Sequence, residues 1–154
     1  MSSITKAFLT LFFALAISCN ISAQDYKSSA GLRIGTYIAG SFKIFISETA
    51  AIETIAGMSR EGGNSIFTFG EFYQIHNQLT SDIPTLSWYL GAGGIIKLGN
   101  KDIKTNLLLT AIIGLEYTFE PVPINLFIDG TPYFNVINEV GFDAEASLGV
   151  RYVF

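Results

Sequence analysis

Residues 107–119 read LLLTAIIGLEYTF. Leu107, Leu109, Ala111, Ile113, Leu115, Tyr117 and Phe119 fall on one parity, and Leu108, Thr110, Ile112, Gly114, Glu116 and Thr118 on the other. Successive side chains of an extended chain point to opposite faces, so this period of two predicts a strand with one apolar and one mixed face. The division recurs along the chain. In INLFIDGTPYFN, Ile124, Leu126, Ile128, Gly130, Pro132 and Phe134 oppose Asn125, Phe127, Asp129, Thr131, Tyr133 and Asn135. Trp88, Leu90, Ala92 and Ile96 oppose Ser87, Tyr89, Gly91, Gly93 and Lys97, and Leu32, Ile34 and Ile38 oppose Arg33, Gly35 and Tyr37. In LGVRYVF, residues 148–154, Leu148, Val150, Tyr152 and Phe154 oppose Gly149, Arg151 and Val153.

Turn chemistry predicts eight strands, at about Ala30–Ile38, Phe42–Ser47, Ala50–Met58, Ser65–His76, Leu86–Leu98, Leu107–Phe119, Ile124–Asn135 and Asp143–Phe154. AGS, ET, SREGG, NQLTSDIPT, GNKDIKTN, EPVP and VINEVGF connect them, all short enough for antiparallel hairpins. ETAAIETIAGM has some helical character, but Gly57 and the flanking strands favour a strand.

A sheet facing water usually carries several Lys, Glu and Thr on its outer face. Here the mixed face is rich in Gly and Tyr, with about one charge per strand. The arrangement fits better inverted, with the apolar face toward lipid and the mixed face toward a narrow lumen. Hydrocarbon offers no partner to backbone polar groups, so such a sheet must close on itself. The expected fold is all-β: an eight-stranded antiparallel up-and-down transmembrane barrel, whose interior side chains can fill. Aromatics stand where an interfacial girdle would need them, at Tyr117, Phe119, Tyr152 and Phe154.

The first residues predict the compartment. After one lysine, Lys6, comes the apolar run AFLTLFFALAI, residues 7–17, and then a small residue, Ala23, before Gln24. Eleven apolar residues are too few to span a bilayer as a helix, so residues 1–23 read as a cleaved secretory signal peptide and 24–154 as one barrel domain. ISC, ending at Cys19, is an alternative lipidation site, with Ala16 where a lipobox prefers Leu. Cys19 is the only cysteine, so cleavage at Ala23 leaves a chain unable to form disulfides or thiolate sites. The leader takes one lysine with it, leaving 13 acidic residues against 8 basic ones, a net charge of −5. That balance argues against nucleic acid as a partner.

The predicted lumen collects Arg33, Lys43, Glu53, Glu71, Lys97, Glu116, Asp129, Glu145 and Arg151. Charges enclosed in a narrow lumen must be paired or hydrated, so this set predicts a salt-bridge network that plugs the barrel rather than an ion path. The single histidine, His76, reads as an interfacial or turn residue beside a loop. A Ser/His/acid triad would have to use it, and no G-x-S-x-G elbow surrounds any serine. One His with scattered carboxylates gives no metal spacing, and GAGG lacks the GK[ST] ending of a phosphate loop. Neither a catalytic residue nor a cofactor is expected. Tyr73 and Tyr89 are candidates to pack over the glycines of LGAGG.

The SAQ leader ending, GLRIG, FKIFISE, FGEFYQIH, LSWYLGAGG, IIGLEYTFEPVPINL and LGVRYVF together resemble the small outer-membrane β-barrel proteins of Bacteroidetes. Those in turn are similar to OmpA/OmpX-type eight-stranded barrels. The resemblance spans the mature chain. It implies a Gram-negative outer-membrane location and a monomer in contact with outer-membrane lipid. It also implies periplasmic chaperones and the β-barrel assembly machinery during biogenesis, with Tyr152 and Phe154 as the assembly signal. It carries no activity with it. Both termini would be periplasmic, EPVP a periplasmic turn, and the outward loops too short for an elaborate binding surface. Two rivals remain: a soluble lipocalin-like barrel holding a small apolar ligand, and a lipid-acting outer-membrane enzyme.

Overall fold

The computed structural model describes residues 27–80, 82–83, 85–100, 103–138 and 140–154. The leader, with Cys19 and the cleavage site at Ala23, lies outside the described residues. Eight strands follow in order: β1 (Ser28–Gly35), β2 (Ile38–Phe45), β3 (Ala50–Glu61), β4 (Asn64–Gln78), β5 (Leu86–Leu98), β6 (Asn106–Phe119), β7 (Ile124–Asn135) and β8 (Gly141–Val153). Each pairs antiparallel with the next, and β1 pairs with β8, giving a closed barrel. The seam runs from Ser29↔Val153 to Gly35↔Ser147, so the LGVRYVF strand leaves no free edge there. Ser28 and Phe154 extend the seam, each backbone N–H donating to the other's carbonyl at 3.1 and 2.9 Å.

In the strands whose two faces alternation separates, the parity read from the sequence is the parity of the barrel wall. In β6, Leu108, Thr110, Ile112, Gly114, Glu116 and Thr118 are buried inward, while Leu109, Ala111, Ile113 and Leu115 are exposed outward. Leu126 and Ile128 of β7 and Leu148, Val150 and Tyr152 of β8 are likewise exposed. A lipocalin-like barrel needs an apolar interior; here the apolar band is on the outside and the ion pairs within.

The bounds of β1, β2, β3, β4 and β8 shift. AGS, predicted as the first turn, lies inside β2, and the chain reverses at Thr36 and Tyr37 instead. Small residues normally signal a turn, but Ala39 and Ser41 face a crowded lumen, where size rather than turn chemistry selects them. The third and fourth strands run on to Glu61 and from Asn64, leaving only Gly62 and Gly63 as the reversal. Both adopt positive φ, 55° and 83°, the two-residue hairpin geometry that glycine accommodates without strain. The last strand begins at Gly141, two residues before its expected start. Because β1 and β2 are short, Ser59–Glu61 of β3 and Gly141–Ala146 of β8 rise beyond them and pair on one side only.

Gly114 shows what inward small residues provide. A Cβ there would stand 2.6 Å from the Tyr89 hydroxyl oxygen and 2.8 Å from Asp129 Cβ, so the glycine makes room for the Tyr89 ring. Tyr89 therefore packs over Gly114 and not over LGAGG, and Tyr73 faces outward. Gly114→Ala is expected to lower stability by about 1–3 kcal/mol through overpacking, read from urea titration followed by Trp88 fluorescence.

Candidate functional site

One connected polar network, to which all eight strands contribute, fills the part of the lumen nearer the EPVP turn. Glu53 of β3 is fully buried and sits at its centre. Its carboxylate accepts from Arg151 Nη2 at 2.6 Å, from Ser41 Oγ at 2.6 Å and from Gln74 Nε2 at 2.6 Å. Arg33 Nη2 lies 3.9 Å away and pairs more closely with Asp129, which also accepts from the Tyr89 hydroxyl at 2.7 Å. Arg151 reaches further still. Its Nε donates to Ser41 at 2.9 Å, and Nη1 lies 3.3 Å from Asn125 Oδ1 and 3.5 Å from Glu116 Oε2. Glu116 takes a second cation in Lys43, at 3.0 Å.

Aromatic rings supply the remaining surface of these cations. The Arg151 guanidinium lies 3.7 Å from the centroid of Phe127, and Arg33 lies 5.3 Å from the same ring. Lys43 sits 4.4 Å from the centroid of Tyr89. Such contacts attract a cation to the negative ring face and hold it without a further carboxylate.

His76 belongs to this cluster, contrary to the interfacial or turn position expected of it. It is buried, with Nδ1 3.1 Å from Glu116 Oε1 and Nε2 3.1 Å from Gln74 Oε1. Its ring lies between Phe45 and Tyr89, at centroid distances of 4.8 and 5.0 Å. The signal was present in the parity: Phe72, Gln74 and His76 are two apart and share the inner face.

Glu71 is the reverse correction. Predicted for the lumen, it is exposed on the outer face, between Phe69 and Tyr73. An odd separation from His76 forbids both from facing inward on a regular strand. With Glu71 outside, the ion pairs of the lumen among the described residues set four carboxylates, Glu53, Glu116, Asp129 and Glu145, against four fixed cations, Arg33, Lys43, Lys97 and Arg151.

The Lys97–Glu145 pair, 2.5 Å apart, stands away from the central cluster near the β5–β6 and β7–β8 connections, with Lys97 5.7 and 5.6 Å from the Tyr37 and Tyr133 rings. Between the two lies an apolar group that includes Ile55, Phe72, Ile95, Leu108 and Ile112, all essentially fully buried. Tyr152 and Phe154 point outward and stack on one another, 6.4 Å between centroids.

No protein-family model and no curated protein matches the sequence. Among solved structures, the chain is similar to the N-terminal β-barrel domain of Pseudomonas aeruginosa OprF. The TM-score is 0.64 at 15% identity, over 83% of this chain and 96% of that one. At that identity the likeness is one of fold: an eight-stranded barrel of the outer-membrane type.

Removing one member of a buried pair leaves the other charge uncompensated. Arg151→Met takes the closest cation from Glu53 and one of two from Glu116, and is expected to cost about 3–5 kcal/mol. The double variant Arg151→Met/Glu53→Leu should cost clearly less than the sum of the two single changes, a coupling read from urea unfolding of all four proteins.

Proposed function

We propose that this chain is an integral outer-membrane barrel whose lumen is a structural plug and whose role is non-catalytic, structural or surface-interacting. One observation carries the reading: the wall is apolar outside and ionic inside. Leu32, Ile113, Ile128 and Leu148 are each more than half exposed, while Arg33 and Arg151 have no exposure. In water that distribution would leave a belt of aliphatic side chains unburied around the whole molecule; in a bilayer the belt is solvated by lipid tails. The fold shared with the OprF barrel domain supports the same location. The termini and the EPVP turn lie at one end of the barrel, which we assign to the periplasm. The Tyr117/Phe119 and Tyr152/Phe154 pairs then form that interface. The outward pair Tyr152 and Phe154 suits recognition by assembly machinery during insertion. The quoted sequence stretches support membership of the small Bacteroidetes barrels.

Membrane fractionation with heat-modifiable gel mobility tests the location. The chain should sediment with outer membranes and migrate faster unheated than boiled. Extraction as a monodisperse species into buffer without detergent would overturn the reading. In planar bilayers the wild type should show no steady conductance, as the plug requires.

Face assignment gives a further expectation. Leu126→Arg, on the lipid side beside interfacial Tyr117, should cost about 1–2 kcal/mol, between the midplane and interface values. Thr131→Ser keeps the inward hydroxyl that donates to the Glu145 carbonyl and should be nearly silent in the same unfolding measurement.

A further inference from the structure

Glu71 stands at the middle of the longest strand, seven residues from either end of β4. Among the described residues it is the only charged side chain on the outer wall that is not close to a strand end. On the proposed function, from which this inference proceeds, that position faces hydrocarbon. An ionisable group there is costly and is retained where it has a partner.

Its surroundings are unusual in the same place. The row of cross-strand neighbours through Glu71 runs Phe42, Thr54, Glu71, Gly94 and Leu109. The adjoining row on one side holds Gly40 and Ala56, and on the other Ala92 and Ala111. These outward glycines are not required by the barrel itself. A Cβ at Gly94 would meet nothing closer than the Leu108 carbonyl at 3.6 Å, and at Gly40 nothing closer than the Ala56 carbonyl at 3.8 Å. Inward glycines such as Gly114 do the opposite and admit no side chain. The result is a stretch of wall where small side chains flank an exposed carboxyl and a neighbouring hydroxyl, with Phe42 and Leu109 at the ends of the row and Phe69 and Tyr73 on either side of Glu71 along β4. Gly130 is equally open, but its outer-face neighbours Ile113, Ile128, Pro132 and Ala146 offer no polar group.

We infer that the β3–β5 outer face, centred on Thr54 and Glu71, is a docking surface for a second copy of this chain within the membrane. Thr54 and Glu71 are direct cross-strand partners, so a donor and an acceptor lie side by side. A two-fold axis along the membrane normal carries each Thr54 hydroxyl to the other copy's Glu71 carboxyl, giving two symmetry-related hydrogen bonds that engage every such group with no other protein. Small residues at the contact let the two walls approach closely, which is how association proceeds where lipid removes the hydrophobic driving force. Where the sequence led to the expectation of a monomer, this face favours a dimer.

The test uses the full chain in isolated membranes, with Ala56→Cys as reporter on the proposed face and Leu126→Cys on the opposite wall as reference. A short bismaleimide should give a crosslinked dimer from the Ala56→Cys protein and little from the reference. Adding Glu71→Leu or Thr54→Val should lower the dimer yield about tenfold, and Glu71→Gln should retain most of it. Glu71→Leu should leave the heat-modifiable folded band undiminished, which separates lost docking from lost folding. Membrane-embedded protein that yields no more dimer than the reference would overturn the inference. So would a dimer indifferent to Glu71→Leu, or a product with a different protein in its place. A chain absent from the membrane fraction would instead overturn the proposed function on which it rests.

Discussion

The contact on which this barrel most depends is the fully buried pair of Arg151 and Glu53. Arg151 belongs to the closing strand, and through its guanidinium β8 is tied to β2 at Ser41, β3 at Glu53, β6 at Glu116 and β7 at Asn125. A planar, always-charged fork with several donors suits that position; a lysine's single ammonium could not bridge so many strands. The two charges are expensive to enclose, and each is the other's closest compensating partner. The pair therefore does more than hold two strands together. It makes the closed barrel the arrangement in which the interior charges are compensated, and the open sheet one in which they are not.

Closure also dictates what the other inward positions can be. Large cationic side chains and the rings that cover them need depth, and the lumen supplies it where residues across the wall are small. Gly149 faces Phe127 so closely that a Cβ would overlap the ring. That same ring carries Arg151 on its face. The glycine, the phenylalanine and the arginine thus form one arrangement spanning β7 and β8, set by steric fit before any electrostatics is considered.

Much of this was legible in the sequence. The bounds of β5 and β7 follow directly from alternation and turn chemistry, and the apolar parity of LLLTAIIGLEYTF is the outer wall of β6. Both misplacements in β4 have one cause. FGEFYQIH has aromatics on both parities, Phe69 and Tyr73 outside and Phe72 inside, so hydrophobicity alone does not distinguish its faces. A charge is expected in the lumen, which sets Glu71 inward against the parity of its own strand, and with no clear inner face His76, at a strand end beside a loop, reads as interfacial. AGS failed for a related reason: small residues mean a turn in a local reading and close packing in a closed one, and only closure tells them apart. Which carboxylate meets which cation was not legible at all, because partners such as Arg33 and Asp129 are 96 residues apart and meet only through the curvature of the wall.

Along its axis the filled lumen has two chemistries rather than one. The ionic cluster around Glu53 and Arg151 lies toward Ser28 and Phe154, and beyond it Ile55, Phe72, Ile95, Leu108 and Ile112 form a mainly apolar layer before the Lys97–Glu145 pair. Water and small polar solutes can exchange hydrogen bonds with the first layer but meet a mainly aliphatic second, where the buried hydroxyls of Thr68 and Thr110 are isolated polar atoms among apolar side chains. An apolar solute tolerated by the second would have to displace paired charges in the first. A barrier built from only one kind of layer would leave one class of solute a path. The two in series oppose both, which gives the proposed plug a physical basis in the order of the layers as well as in the narrowness of eight strands.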